Sequence, residues 1–109
     1  MVDRISKHYV QSILKKHPNK VPLVIHHDKN KKKLHKFIIP SDSSIMDLLY
    51  IVRKRVNLDS EQALYIYVNA PNGKSNLLPT NLILSSVYEE NKLDNGLLHL
   101  IYAEENVFG

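Results

Sequence analysis

Apolar residues near the start of the chain recur at helical spacing. Ile5, Tyr9 and Ile13 lie four residues apart, so one side of a helix would be apolar. Asp3 is suited to cap the first turn of this helix, and the pattern stops at about His17, just before a proline. We therefore predict an N-terminal helix from Asp3 to about His17.

A stronger helical pattern occupies residues 43–58. Ser44 and Asp47 have the spacing of a capping box, in which each side chain bonds the backbone N–H of the other residue. Three consecutive cations at 53–55 fall in the last turns, where they favour the helix dipole. The apolar stripe consists of Ile45, Leu48, Leu49, Val52 and Val56.

Apolar runs rich in β-branched and aromatic residues predict four strands, at 21–27, 34–39, 63–68 and 97–102. The charged connection at 28–33 is too short for a parallel crossover, so the first two strands should form an antiparallel hairpin. The last strand is almost wholly apolar, which is typical of a central strand that is covered on both faces.

Two further segments lie between the third and the last predicted strand. Residues 69–76 contain an Asn-Gly pair and are predicted to be a turn or an exposed loop. A short helix follows at about 81–90, with Thr80 or Asn81 as its N-cap.

The predicted order is α, β, β, α, β, α, β. A hairpin, a long helix and two more strands describe an α+β protein of the β-grasp type, with a four-stranded mixed sheet wrapping one helix. The N-terminal helix is an addition to that core. We predict one domain, divided into an N-terminal helical extension (1–18), the β-grasp core (19–102) and a flexible C-terminal tail (103–109).

Composition excludes several kinds of chemistry. The chain of 109 residues has no cysteine, so disulfides, thiolate-bound metals and thiol catalysis are absent. His26 and His27 are adjacent and would point to opposite faces of a strand, and no other histidine spacing suggests a metal site. With no catalytic motif and no apolar run long enough to span a membrane, we expect a soluble intracellular protein that is not an enzyme and needs no cofactor.

Charge is divided unevenly along the chain. Residues 1–58 contain 13 Lys/Arg and 4 Asp/Glu, whereas residues 59–109 contain 2 and 7. A basic half can bind nucleic acid or an anionic membrane, but it is more often a solvated face. Because no nucleic-acid-binding motif accompanies the lysines, we expect no nucleic acid partner.

Several segments, taken together, resemble one known family. These are "KKHPNKVPLVI", "KFIIPSD", "IVRKRVNLDSEQALYIYVN" and the terminal "VFG", which occur in family order from about residue 5 to residue 109. The chain is similar in them to the autophagy-related ubiquitin-like modifiers, the light-chain-3 and GABA-receptor-associated-protein family. The resemblance implies a ubiquitin-like fold, which agrees with the predicted element order.

The resemblance also implies a reaction for the last residue, Gly109. In the family, dedicated activating and conjugating enzymes form a thioester with the terminal glycine and then join it as an amide to phosphatidylethanolamine. A residue without Cβ can pass through a narrow enzyme channel and leaves its carbonyl open to attack. The expected protein is a monomer before lipidation. It is cytoplasmic at first and lies on autophagosome or other cytoplasmic vesicle membranes afterwards. Because Gly109 ends the sequence, we expect no protease to be needed to expose it.

The second implied activity is the binding of aromatic-x-x-aliphatic peptides from autophagy receptors. Such a peptide lies along an exposed strand edge, here the strand containing "KFIIPSD", and places two side chains in two pockets. By resemblance, the pocket for the aromatic residue contains Ile13, Pro22, Val24, Lys36, Ile38 and Leu97. The pocket for the aliphatic residue contains Phe37, Ile39, Leu48, Ile51, Val52 and Arg55. Val24, Ile39, Val52 and Leu97 would also be core residues in any β-grasp protein.

Departures from the family pattern leave alternatives open. The N-terminus is short, the loop around 70–78 is long, and Leu97 replaces an aromatic residue, which would enlarge the first pocket. The protein could be a peptide-binding adaptor that is never conjugated, or a modifier serving another organelle membrane. In a third alternative, the basic half binds nucleic acid or an acidic cytoskeletal surface.

Overall fold

The computed structural model describes residues 2–59, 61–69 and 73–106. A short 3-10 helix at Val2–Arg4 precedes three α-helices, which are α1 (Lys7–Lys16), α2 (Ile45–Arg55) and α3 (Leu84–Asn91). The five strands are β1 (Lys20–His27), β2 (Leu34–Pro40), β3 (Gln62–Asn69), β4 (Ser75–Leu77) and β5 (Leu98–Asn106).

All five strands form one mixed sheet in the order β2-β1-β5-β3-β4. The central strands β1 and β5 are parallel, and the other neighbouring pairs are antiparallel. The α+β, β-grasp prediction is confirmed, but the predicted count of four strands was wrong. The fifth strand, β4, is only three exposed residues long and has no apolar alternation, so no sequence pattern marks it. It pairs with β3 after the chain has turned at Gly73, whose φ is +85°.

The main core lies between α2, α3 and one face of the sheet, which we call the front face. Alternate residues of the central strands point into it, such as Leu23 and Ile25 of β1 and Leu98 of β5, as expected from the two-residue period of a strand. From α2, Leu48 and Val52 meet them and are completely buried. The core on the front face thus contains the apolar stripe of α2 and the inward-facing residues of the strands that the apolar pattern predicted.

Helix α1 covers part of the opposite, back face, where Val10 packs with Val24 and Leu97. Its N-cap is Ser6 and not the predicted Asp3, because the Ser6 hydroxyl accepts a hydrogen bond from the Tyr9 backbone N–H at 3.4 Å. Ile5, just before the cap, packs in the same cluster as Val10, which resembles a hydrophobic staple. The N-terminal helix is therefore present as predicted but begins later, and it packs against the domain.

Two other predicted boundaries were wrong. Helix α3 begins at Leu84 after Ile83, whose side chain makes no capping bond, so neither Thr80 nor Asn81 is its cap. The Thr80 carbonyl instead accepts a hydrogen bond from the Met46 backbone N–H at the start of α2. Strand β5 continues to Asn106 because the beginning of β3 pairs with it, so residues 103–106 belong to the sheet. The other residues of the predicted tail, 107–109, lie outside the described residues.

The capping box of α2 gives a stability prediction. The Asp47 backbone N–H donates to the Ser44 hydroxyl at 3.1 Å, and the Ser44 backbone N–H donates to the Asp47 carboxylate at 3.0 Å. We expect Ser44→Ala to lower the free energy of unfolding by about 1 kcal/mol, measured by urea denaturation. Ser86→Ala, at an exposed site within α3, is the control and should not destabilise. Equal stability of the two variants would contradict the capping role.

Candidate functional site

Strand β2 forms one edge of the sheet. Its side chains alternate as predicted: Lys36 and Ile38 are exposed, whereas Phe37 and Ile39 are buried. An edge strand carries backbone N–H and C=O groups on its outer side that a further strand can pair with. The candidate site is this edge together with the grooves on either side of it.

The first groove lies on the back face between α1 and β2. It has a volume of about 290 Å³ and is mainly apolar. The structure brings together here all six residues that were predicted for the first pocket. The residues lining the first groove are Ile5, Tyr9, Ile13, Pro22, Leu23, Val24, Lys36, Phe37, Ile38 and Leu97.

Sequence reasoning missed Ile5, Tyr9 and Leu23 in the first groove and predicted Phe37 only for the second. A signal for two of them was present, because Ile5 and Tyr9 belong to the same four-residue repeat as Ile13. Tyr9 is 52% exposed, so its ring forms an open wall of the groove. Helix α1 therefore supplies one side of the first groove as well as covering the sheet.

The second groove lies between β2 and α2 on the front face, and it is wider and more open. It is lined by Phe37, Tyr50, Ile51, Lys54 and Arg55 and has a volume of about 510 Å³. The Arg55 guanidinium lies 4.6 Å from the centre of the Phe37 ring, and Lys54 Nζ lies 4.5 Å from that of Tyr50. The Arg55–Phe37 cation–π contact thus joins α2 to β2 across the groove, whereas the Lys54–Tyr50 contact runs along α2.

The six residues predicted for the second pocket occupy two levels. Phe37, Ile51 and Arg55 line the groove. The other three, Ile39, Leu48 and Val52, are buried beneath it in the main core. Tyr50 and Lys54, which were not predicted, complete the rim. Their i, i+4 spacing on α2 was the available signal.

Phe37 lines both grooves although they lie on opposite faces of the sheet. Because β2 is the edge strand, both grooves open beside it, and Phe37 borders each of them. Successive side chains of an added strand point to alternate faces. An extended peptide along β2 could therefore place one side chain in each groove.

The surroundings of the grooves are basic. Lys36, Lys54 and Arg55 are all exposed beside them. His35, the neighbour of Lys36, is kept neutral near pH 7, since its burial and the nearby Arg55 charge both lower its pKa. The fixed positive charges suit a peptide with acidic residues next to its apolar ones.

The remaining sequence predictions concern Gly109, metal binding and membrane-spanning segments. Gly109 lies outside the described residues. Among the described residues, no group of three His, Asp or Glu side chains is arranged to hold a metal ion. His26 Nδ1 bonds the His27 carbonyl at 2.8 Å, whereas His27 Nε2 lies 2.8 Å from the Glu104 carboxylate. No helix in the described part of the chain is long and apolar enough to cross a membrane.

Comparison with known proteins agrees with this geometry. Residues 5–109 match the model of a family described as "Autophagy protein Atg8 ubiquitin like". Autophagy-related protein 8b of Arabidopsis thaliana is 36% identical over 101 residues, covering 86% of this chain and 76% of the relative. Autophagy-related protein 8B of Oryza sativa subsp. japonica is 35% identical over 104 residues, covering 89% and 81%.

A solved structure supports the same relationship. The crystal structure of Trypanosoma brucei ATG8 superimposes with a TM-score of 0.79 at 27% sequence identity, covering 94% of this chain and 88% of that one. The ubiquitin-like fold implied by the resemblance is therefore confirmed.

Proposed function

This chain belongs to the Atg8 family of ubiquitin-like autophagy proteins, and on that premise we propose that it is a modifier conjugated through Gly109 to phosphatidylethanolamine. In the same proposal, it recruits autophagy receptors and machinery by binding aromatic-x-x-aliphatic peptides at β2. The observation that carries the proposal is Phe37, which lines both grooves at an open sheet edge.

The proposed conjugation has a clear physical purpose. A single acyl chain binds a membrane only marginally, whereas two chains anchor a protein stably. Phosphatidylethanolamine carries two, so one amide bond at Gly109 would hold the whole domain on a membrane. The chain itself supplies the carbonyl of Gly109, and the family's activating and conjugating enzymes would supply the thioester chemistry. We propose no catalytic activity for this chain.

The proposed peptide complex follows from the two grooves. The aromatic side chain enters the first groove, and the aliphatic side chain enters the second. Full burial of each contributes roughly 2–3 kcal/mol. The exposed cations add at most about 1 kcal/mol each, so they influence orientation more than affinity. After the cost of ordering the peptide, we expect binding on the order of micromolar, which clustering on a membrane would strengthen.

The first groove gives a prediction that can be tested without changing the core. Ile38 is 39% exposed and lines this groove. We expect Ile38→Ala to weaken an aromatic-x-x-aliphatic peptide by about five- to tenfold, measured by isothermal titration calorimetry, because two or more methyl-sized groups leave the contact. Leu77→Ala, which removes an exposed leucine at the other edge of the sheet, is the matched control. Equal peptide affinity for the two variants would exclude this groove.

The same proposal places the protein in the cytoplasm before conjugation and on autophagosome or other cytoplasmic vesicle membranes afterwards. The direct test is the intact mass of the protein recovered from cell membranes. A mass increase equal to phosphatidylethanolamine, localised to Gly109 by fragmentation, is the expected result. Recovery of only the unmodified chain, with peptide binding intact, would favour the alternative of an adaptor that is never conjugated.

A further inference from the structure

Four lysines lie in the connection between β1 and β2. This lysine loop, residues 28–33, contains Lys29, Lys31, Lys32 and Lys33, all of them exposed. The loop follows β1 directly, and β1 runs parallel to β5 with His27 opposite Tyr102. Because parallel strands end at the same side of a sheet, the lysine loop and the C-terminal end of β5 lie at the same end of the domain.

The lysine loop is held in a defined conformation. The Asp28 backbone N–H donates to the Tyr102 carbonyl of β5 at 3.0 Å, which ties the loop to the last strand. Within the loop, the Lys33 backbone N–H donates to the Asn30 carbonyl at 3.0 Å, and the Lys32 backbone N–H donates to the Asn30 side chain at 3.1 Å. These bonds form a compact turn, which leaves all four lysines exposed.

The covalent chain limits how far Gly109 can be from this end of the domain. Strand β5 ends at Asn106, and three residues span at most about 11 Å even when fully extended. If Gly109 is joined to a lipid headgroup, the end of β5 stays within about that distance of the bilayer surface. The loop begins opposite Tyr102, four residues before the end of β5. Electrostatic attraction to a membrane acts over about 8 Å at physiological ionic strength, so the lysines come within its range when the loop side of the domain is tilted towards the bilayer.

Acidic residues lie at the same end of the domain as the lysine loop, but on the side that β5 and β3 form. Asp59 and Glu61 precede β3, and Glu104 and Glu105 lie on β5. The Glu104 carboxylate is engaged by His27 Nε2 at 2.8 and 2.9 Å. The sheet order β2-β1-β5-β3 therefore separates a basic β1–β2 side from an acidic β5–β3 side. Asp28 is the one acidic residue within the loop itself.

We propose that the lysine loop is a contact surface for anionic phospholipid headgroups, which orients the domain on the membrane to which Gly109 is joined. The inference rests on the proposed conjugation at Gly109. In this orientation the turn of the β1–β2 hairpin points towards the bilayer, and the acidic side is tilted away. Strand β2 runs away from the loop, from Leu34 to Pro40 roughly 20 Å further on, so the peptide edge leads away from the bilayer surface.

A chemical anchor can test the surface without the conjugating enzymes. The chain has no cysteine, so Gly109→Cys provides one thiol for coupling to a maleimide-bearing lipid. The measurement is the coupling rate on phosphatidylcholine vesicles with and without phosphatidylserine. The coupling rate of the Gly109→Cys chain is compared with that of the same chain carrying the additional substitutions Lys31→Gln, Lys32→Gln and Lys33→Gln. The matched control is Lys15→Gln, Lys16→Gln, Lys20→Gln, which removes three exposed lysines near the opposite end of the sheet.

Each lysine near an anionic surface strengthens association by up to roughly fivefold, and screening by salt and by the nearby acids reduces this. We expect phosphatidylserine to accelerate coupling about tenfold or more, the loop variant to lose most of this gain, and the control to keep it. High salt should remove the gain, since the Debye length falls to about 3 Å at 1 M. Coupling to a soluble maleimide should be equal for all variants, which shows equal thiol reactivity.

Equal loss in the loop variant and the control would overturn the proposal, because only net charge would then matter. A rate that does not respond to phosphatidylserine would also overturn it and would favour an acidic macromolecule as the ligand of the lysines. Failure of enzymatic conjugation at Gly109 would not change the vesicle result, so it would count against the proposed function and not against the lipid-binding property of the loop.

Discussion

Gly109→Ala is expected to abolish conjugation to phosphatidylethanolamine while leaving the fold intact. A methyl group at the reacting residue restricts its φ and ψ angles and occupies space beside the carbonyl that is attacked. A misplacement of about 1 Å at a reacting centre can lower a rate by about 100-fold, so we expect the adduct to fall by at least that factor. The adduct is measured by intact mass after incubation with the activating and conjugating enzymes, ATP and vesicles.

The fold should not respond to this substitution, since residue 109 comes three positions after the last residue of β5. We expect the free energy of unfolding to change by less than about 0.5 kcal/mol. Gly73→Ala is the matched control, because it makes the same exchange at another glycine. Its φ of +85° makes alanine costly there by about 1–2 kcal/mol, but conjugation should continue. Conjugation of the Gly109→Ala chain at the original rate would refute the role of this residue.

Phe37→Ala is expected to weaken an aromatic-x-x-aliphatic peptide by about 30- to 100-fold, or about 2–3 kcal/mol. The expected loss is larger than for Ile38→Ala because a whole aromatic side chain is removed at a residue that borders both grooves. It also removes the surface against which the Arg55 guanidinium packs. Isothermal titration calorimetry with one peptide, at a temperature where both proteins are folded, measures the difference.

Phe37 also belongs to the main core and is only 8% exposed, so Phe37→Ala costs stability as well as binding. We expect a loss of about 3 kcal/mol in the free energy of unfolding. Ile66→Ala is the matched control, since it opens a cavity in β3, which is separated from β2 by the two strands β1 and β5. If the control weakened the peptide as much as Phe37→Ala, destabilisation and not groove contact would explain the effect. Unchanged affinity for Phe37→Ala would exclude the edge site itself.

The amino-acid sequence predicted most of the fold through local signals. The apolar stripe and capping box of α2 act within one helix, and the short 28–33 connection allows only a hairpin. The elements that local signals did not predict depend on partners far along the chain. Strand β4 has no pattern of its own and exists through pairing with β3, and β5 extends to Asn106 because Gln62 lies opposite it.

The candidate site, too, has some features that the sequence predicted and others that depend on the packed structure. The resemblance implied twelve residues for the two pockets, and nine of them line the grooves. The alternation along β2 gave the faces of the residues on that strand, since a strand has a two-residue period. Only the packed structure separates the residues that line the second groove from Ile39, Leu48 and Val52 beneath it. That difference depends on how closely α2 lies against the sheet, which no local pattern specifies.

By itself, the sequence determined the three helices, the four longer strands and the front-face core, because helix and strand periods are local properties. Its resemblance to a known family implied the chemistry at Gly109 and an edge strand at "KFIIPSD". The tertiary structure decided which residues line each groove beside that strand, and that the lysine loop lies at the same end of the domain as the end of β5. These features come from the parallel pairing of β1 with β5, two segments separated by some seventy residues. A contact across that separation depends on the whole chain being folded.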